Sequence, residues 1–214
     1  MKETNISNKL IEYTKLIWDR KLTESTGGNM SIRFNNKIYI TPTMYVKHFI
    51  TVDDLVILNM DGKQIGGKLK PSSEYKMHLS IYNERDDINS ILHAHPRWSL
   101  LYAINNKRIP IRILPESIFM LGEIEYLSYI MPGTDEFAKS FINGAQNNIN
   151  VYMLQNHGVT TCGKSIESAF ARLETLETIS FVSYMSSMAN DKVNLISKEQ
   201  SNNFLKNLNM DQIF

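Results

Sequence analysis

Residues 70–96, KPSSEYKMHLSIYNERDDINSILHAHP, decide how the rest of the chain is read. Ser72 or Ser73 offers a hydroxyl acceptor for a free backbone N–H, and Glu74 follows where a first helical turn favours negative charge. The pattern predicts a helix over 72–83 and a strand over 89–95. His93 and His95 stand two residues apart, so on a strand both side chains leave from one face. Two imidazoles on one face can meet one metal ion. A carboxylate, two hydroxyls and this histidine pair predict a metal and an anionic group held side by side.

The third ligand to complete such a site is His157, which follows a predicted strand at 150–155 and precedes Gly158 in the turn QNHGV. Three neutral imidazoles leave coordination positions open, the pattern of a catalytic zinc rather than a structural one. Another divalent metal suits the same set. Read singly, each histidine fits an ordinary buried or edge residue; the H-x-H pair joined by a third His-Gly carries the metal reading. His78 lies four residues after Glu74 on the same helix face. It reads as packed and hydrogen-bonded, with a Glu74–His78 ligand pair as the alternative. His48 is isolated and expected to be exposed. Glu74 beside a metal is the expected acid/base, ligating at rest and taking a proton once substrate binds. Alone, it would be a charge on the helix dipole. Gly28-Asn29 and Ser72-Ser73 look like an anion cradle, with Lys70 adding charge.

Further out, residues 5–21 carry Leu10, Tyr13, Ile17 and Trp18 at helical spacing. A Gly27-Gly28-Asn29 turn leads into the alternating MSIRF, a hairpin turn at Asn35-Asn36, and a returning strand KIYITPT ended by Pro42. A buried strand at 55–58 precedes the Asp61-Gly62 turn. A helix follows at 98–104. The stretch 108–134 reads as strand-like and proline-punctuated, and 134–144 as one short helix. A long helix at 165–189 buries Phe170, Leu173, Leu176, Ile179 and Val182. Residues 190–214 form a polar tail, read as a loosely docked helix. With no repeat or linker to divide it, the chain 1–214 is expected to be a single domain, an α/β sandwich of three layers.

Net charge is +1, with 43% hydrophobic and 21% charged residues, so nothing electrostatic points to nucleic acid or a membrane surface. The one cysteine, Cys162, excludes an internal disulfide and a thiolate zinc cluster, and fits a reducing compartment. No run approaches the ~20 apolar residues of a membrane span, and the N-terminus lacks a signal-peptide core. A soluble, cytoplasmic chain is expected. Gly158–Ser165 also fits G-x-x-x-x-G-K-S, after a strand and before a helix. A nucleotide-binding core would need further strands beyond that helix, and only a helix and a polar tail follow. Val159, Thr160 and Thr161 read better as a short strand, with Gly163 and Ser165 as turn and helix cap.

TGGNMSIR, the TPT turn, KPSSE, HLSIY, HAHP, MPGT, QNHGV and the GKS-initiated last helix occur in that order. Over about residues 8–188 the chain resembles the class II aldolase/adducin-like family. That family includes L-fuculose-1-phosphate aldolase and L-ribulose-5-phosphate 4-epimerase. The resemblance implies a three-layer α/β/α sandwich with a central, mostly antiparallel sheet, and a homotetramer with active sites at subunit interfaces. It implies His93, His95 and His157 as zinc ligands and Glu74 as the acid/base that also touches zinc at rest. It implies Gly28, Asn29, Thr43, Ser72 and Ser73 as the phosphate site of a small phosphorylated sugar substrate. The implied reaction is retro-aldol cleavage of a ketose 1-phosphate to dihydroxyacetone phosphate and a small aldehyde. A pentulose-phosphate 4-epimerase, dehydratase or decarboxylase on the same scaffold is the alternative. A non-catalytic interaction domain of the adducin-head type is a further one.

Three departures bear on this. Met44 stands where the family has glycine, and methionine lacks glycine's easy positive φ, so a reshaped phosphate pocket is expected. The tyrosine expected at 109–116 is missing, leaving Glu116 as the polar residue that a neighbouring subunit could supply as an acid. No tyrosine follows Tyr184.

Overall fold

Met30 and Ile32 face one side of their strand and Ser31 the other, and this period-two alternation divides the molecule into layers. The computed structural model describes residues 3–191 and 193–208, so residues 1–2, Lys192 and the last six residues of the polar tail lie outside the described residues. Helix α1 (Glu3–Asp19) buries Ile6, Leu10, Ile11 and Ile17. Strands β1 (Asn29–Phe34) and β2 (Lys37–Ile40) form a hairpin. Asn35 and Asn36 turn it with φ of 51° and 57°, the left-handed pair that matches strand twist. Next come β3 (Val56–Asn59), the short β4 (Gln64–Gly66), α2 (Tyr75–Glu84), β5 (Ser90–Ala94) and α3 (Arg97–Ile104). Then follow α4 (Pro115–Leu121), β6 (Ile124–Leu127), α5 (Asp135–Lys139), α6 (Ile142–Gln146), β7 (Val151–Leu154), β8 (Gly158–Gly163), α7 (Ile166–Met188) and α8 (Lys198–Asn207).

The eight strands form one sheet in the order β4-β3-β2-β1-β5-β8-β7-β6. Every pairing is antiparallel except β6 with β7. One face packs against α1, α3, α4 and α7 through Leu10, Tyr102, Leu121 and Leu173, over Met30 and Leu92. The other packs against α2 and α5 through Met77, Ile81 and Phe137, over Ile38, Ile91 and Leu154. This is the expected α/β/α sandwich with a mostly antiparallel sheet. Among the described residues no helix is long and apolar enough to cross a membrane.

Four expectations are corrected. The stretch 108–134 is not strand-like throughout: Pro115–Leu121 is helical, with Pro115 at its first position. There a missing N–H costs nothing and the fixed φ suits the helix, and the Ser117 hydroxyl donates to the Leu114 carbonyl (2.8 Å). Residues 134–144 form not one helix but two, with the Thr134 hydroxyl capping α5. Strand β4 was not anticipated; it is short, mostly exposed and carries no apolar alternation. Helix α2 begins at Tyr75 rather than Ser72, which leaves Glu74 at its cap (φ −99°, ψ 13°) instead of in its first turn.

Candidate active site

Antiparallel pairing of β1, β5 and β8 brings Asn29, His93 and the start of β8 to one end of the sheet. His157 stands just before β8, and Glu74 at the cap of α2 reaches the same place. His93 is fully buried. Its Nε2 lies 3.4 Å from Glu74 Oε2, and His157 Nε2 lies 3.4 Å from Glu74 Oε1. One ring nitrogen from each of His93, His95 and His157 falls within 4.8 Å of the others.

The other ring nitrogens fix how two of these imidazoles point. His93 Nδ1–H donates to the Val159 carbonyl (3.0 Å), so its Nε2 carries a lone pair. His95 Nδ1–H donates to Glu24 Oε1 (2.8 Å), with the same consequence. His93 Nε2, His95 Nε2, His157 Nδ1 and Glu74 Oε1 are buried without a hydrogen-bond partner. Orphaned buried acceptors are costly, and His93 Nε2 and Glu74 Oε1, with His157 Nε2 3.4 Å from that same carboxylate oxygen, fit a divalent cation. Burial, reinforced by His95, depresses His93 to a pKa of about 3. Burial and His93 depress His157 to about 4, against the opposing pull of Glu74. Both rings are therefore neutral near pH 7, the form that ligates metal.

A directed hydrogen-bond chain holds Glu74. Asn29 Nδ2 donates to Glu74 Oε2 (2.7 Å), and Asn29 Oδ1 accepts from His78 Nε2–H (2.5 Å). His78 Nδ1 accepts from the Ser31 hydroxyl (2.7 Å), which in turn meets the Tyr82 hydroxyl (2.8 Å). The Glu74 amide donates to Ser72 Oγ (3.2 Å). His78 is fully buried, and burial lowers its pKa to about 3.

The TPT turn and the KPSS segment run side by side. Thr43 N donates to Lys70 O (3.1 Å), Ser72 N to Thr41 O (3.2 Å), and Pro42 bridges Pro71. Gly28 (φ 68°) turns against the His93 carbonyl at the same end of the sheet. Ser72 and Ser73 thus lead directly into Glu74, Thr43 is tied to the same segment through Lys70, and Gly28 lies against His93. Asn29 is there too, but its side-chain amide is committed to Glu74 and His78. Met44 adopts φ 51°, the left-handed conformation that glycine takes easily, and is 79% exposed.

Glu116 is not brought to the cluster. It is exposed in the first turn of α4 and lines a surface cavity with Glu174 and Thr178 of α7. His48 is half exposed but not isolated, since its ring stacks on Trp18 at 4.3 Å. The Gly158–Ser165 stretch is no phosphate loop: Val159, Thr160 and Thr161 pair with β5 and β7, which engages their backbone in the sheet. Glu24 and Lys47 went unnoticed in the sequence. Glu24 sits in a loop and Lys47 opens a short 3-10 turn (Lys47–Phe49), so no periodic pattern marks either, and their contacts join segments distant in the sequence. Lys47 is buried, with Nζ donating to the carbonyls of Thr26 (2.9 Å) and Tyr45 (3.0 Å). Burial lowers its pKa to about 8, despite the attraction of Glu24.

Residues 8–184 match the class II aldolase and adducin N-terminal domain. An L-fuculose phosphate aldolase of Methanococcus maripaludis is 36% identical over 168 residues, 78% of this chain and 90% of the relative. A 5-deoxy-D-ribulose 1-phosphate aldolase of Bacillus thuringiensis is 32% identical over 171 residues, 78% of this chain and 79% of the relative. Among solved structures, an L-fuculose 1-phosphate aldolase superposes with a TM-score of 0.87 at 27% identity, covering 96% of this chain and 97% of that one.

Proposed function

Since the chain belongs to the class II aldolase and adducin family and is an aldolase, a carbon–carbon lyase, we propose that it reversibly cleaves a ketose 1-phosphate into dihydroxyacetone phosphate and a small aldehyde. The observation that carries this reading is the convergence of Glu74 on His93 and His157, 3.4 Å from each. The names of the relatives support the substrate class.

His93, His95 and His157 would hold zinc or another divalent cation, with Glu74 close enough to share it at rest. When bound, that cation supplies Lewis acidity toward the ketose carbonyl. Gly28, Thr43, Ser72 and Ser73 bind the substrate phosphate through hydroxyls and backbone N–H groups, and so set the position of the carbon chain. As the C3–C4 bond breaks, C3 of the three-carbon fragment needs a proton, and Glu74 delivers it; in synthesis Glu74 removes the same proton. Asn29 supports the phosphate site through its neighbour Gly28, while its own side chain orients the Glu74 carboxylate. The C4 hydroxyl loses its proton as the aldehyde forms. We assign that proton to Glu116 only across a subunit boundary, in a homotetramer with interfacial sites.

The test is dihydroxyacetone phosphate release from L-fuculose 1-phosphate and 5-deoxy-D-ribulose 1-phosphate by zinc-loaded protein, read through a coupled NADH-dependent reduction. Release from at least one substrate, lost on chelation and in His95→Ala, is expected. No release from any ketose 1-phosphate would overturn the reading.

A further inference from the structure

The loop before β1 does more than turn the chain. Glu24 projects from it so that Oε1 accepts from His95 Nδ1–H at 2.8 Å. The carboxylate lies close against Gly27. A Cβ at Gly27 would overlap the Glu24 carboxylate and stand 2.9 Å from His95 Nδ1. Gly27 is therefore the floor on which the pair is assembled, and Gly27 N also donates to the Glu24 carbonyl (2.9 Å).

The loop is anchored from beneath. Lys47 N donates to the Ser25 carbonyl (2.9 Å), and buried Lys47 Nζ donates to the Thr26 carbonyl (2.9 Å). The two residues between Glu24 and Gly27 are thus tied to the segment after the TPT turn. An ammonium without solvent is strongly drawn to carbonyl dipoles, so the loop has little freedom to carry Glu24 away. His95 needs such a partner, because it lies one residue beyond the end of β5, where the sheet no longer restrains its ring. His93, inside β5, uses the Val159 carbonyl instead.

We propose that Glu24 is the positioning residue of His95, seated on Gly27 by the Lys47-anchored loop, and that it selects the Nδ1–H tautomer so that the Nε2 lone pair faces the metal-binding cluster. The inference rests on the metal reading given above. A carboxylate behind a ligating imidazole both orients the ring and raises its basicity, and losing one weakens metal binding by about 10–100-fold.

The experiment is zinc affinity of the full-length protein, by competition with a chromophoric chelator, for wild type, Glu24→Ala, Glu24→Gln and His95→Ala. Imidazole ¹⁵N shifts of the same proteins before zinc is added provide the second readout. Glu24→Ala is expected to weaken zinc binding about 10–100-fold and to move His95 away from the Nδ1–H tautomer. Glu24→Gln keeps an oxygen acceptor for Nδ1–H and is expected to restore the tautomer and most of the affinity. The urea midpoint should barely move, because the Glu24 side chain is 64% exposed. Wild-type affinity and tautomer in Glu24→Ala, with zinc lost in His95→Ala, would overturn the proposal and leave the metal reading standing. No zinc bound by wild type would remove both.

Discussion

Asn29 Nδ2 lies 2.7 Å from Glu74 Oε2 while Asn29 Oδ1 accepts from His78, so a single amide links the carboxylate to the buried core of the sandwich. Both partners are buried. Replacing Asn29 by Asp sets a second carboxylate against the first, and two such groups cannot both ionise at low cost. Asn29→Asp is therefore predicted to lower kcat with zinc content unchanged, measured by steady-state kinetics and metal analysis. An unchanged kcat would mean that the Asn29 amide does not position the Glu74 carboxylate.

Met44 occupies a left-handed backbone conformation at φ 51°. That costs a non-glycine residue about 1–2 kcal/mol, and glycine would return about 0.5–1 kcal/mol of the relief through its freer unfolded chain. Met44→Gly is therefore predicted to raise stability by no more than about 1.5 kcal/mol, measured by urea unfolding. The side chain is 79% exposed beside Thr43, so the larger effect is expected on KM for the phosphorylated substrate, with kcat little changed. A large fall in kcat would instead place Met44 in the chemistry.

Much of this is legible in the sequence. The layers follow from alternation such as that of Met30, Ser31 and Ile32, and the histidine cluster from the two-residue spacing of His93 and His95, because both depend on the same strand period. What was hidden depends on contacts across the chain. Pro115 reads as a breaker unless it is known to stand at a helix start. Glu24 reaches a residue 71 positions away, and no local pattern marks it. The commitment of the Asn29 amide to Glu74 emerges only when β1 and α2 are placed together.

Gly158 begins β8 directly beside His93 and His95. A Cβ there would lie 2.6 Å from the Ala94 carbonyl oxygen and 2.7 Å from His95 Cδ2. The carbonyl belongs to the sheet and cannot step aside, so the imidazole or the strand must shift. Gly158→Ala is predicted to cost about 1–3 kcal/mol by overpacking and to weaken zinc binding at least about tenfold through displacement of His95. Urea unfolding and chelator competition read the two effects separately.

His78 supplies a pH dependence without touching the proposed metal. Burial holds its pKa near 3, against an ordinary value of 6.5. The unfolded chain therefore binds a proton that the folded one refuses as pH falls below about 6.5. Stability should decline from there toward pH 3, with this residue adding a slope of up to about 1.4 kcal/mol per pH unit. His78→Gln should be less stable at neutral pH, where a buried hydrogen-bond pair is disturbed, yet should show a shallower decline. Parallel stability curves for the two proteins between pH 6.5 and 4 would contradict the assignment.

The central claim is that Glu74 moves the proton at the carbon next to the ketose carbonyl. It is tested most directly by incubating zinc-loaded protein with dihydroxyacetone phosphate in D2O and following the C3 protons by NMR. Stereospecific loss of one C3 proton, dependent on zinc, is expected. In Glu74→Gln the rate is expected to fall by about 10²–10⁴-fold, with substantial zinc still bound by the three imidazoles. No exchange by wild type carrying zinc would contradict the aldolase account and favour an epimerase, dehydratase or decarboxylase reaction on this scaffold. Undiminished exchange in Glu74→Gln would contradict the role given to Glu74.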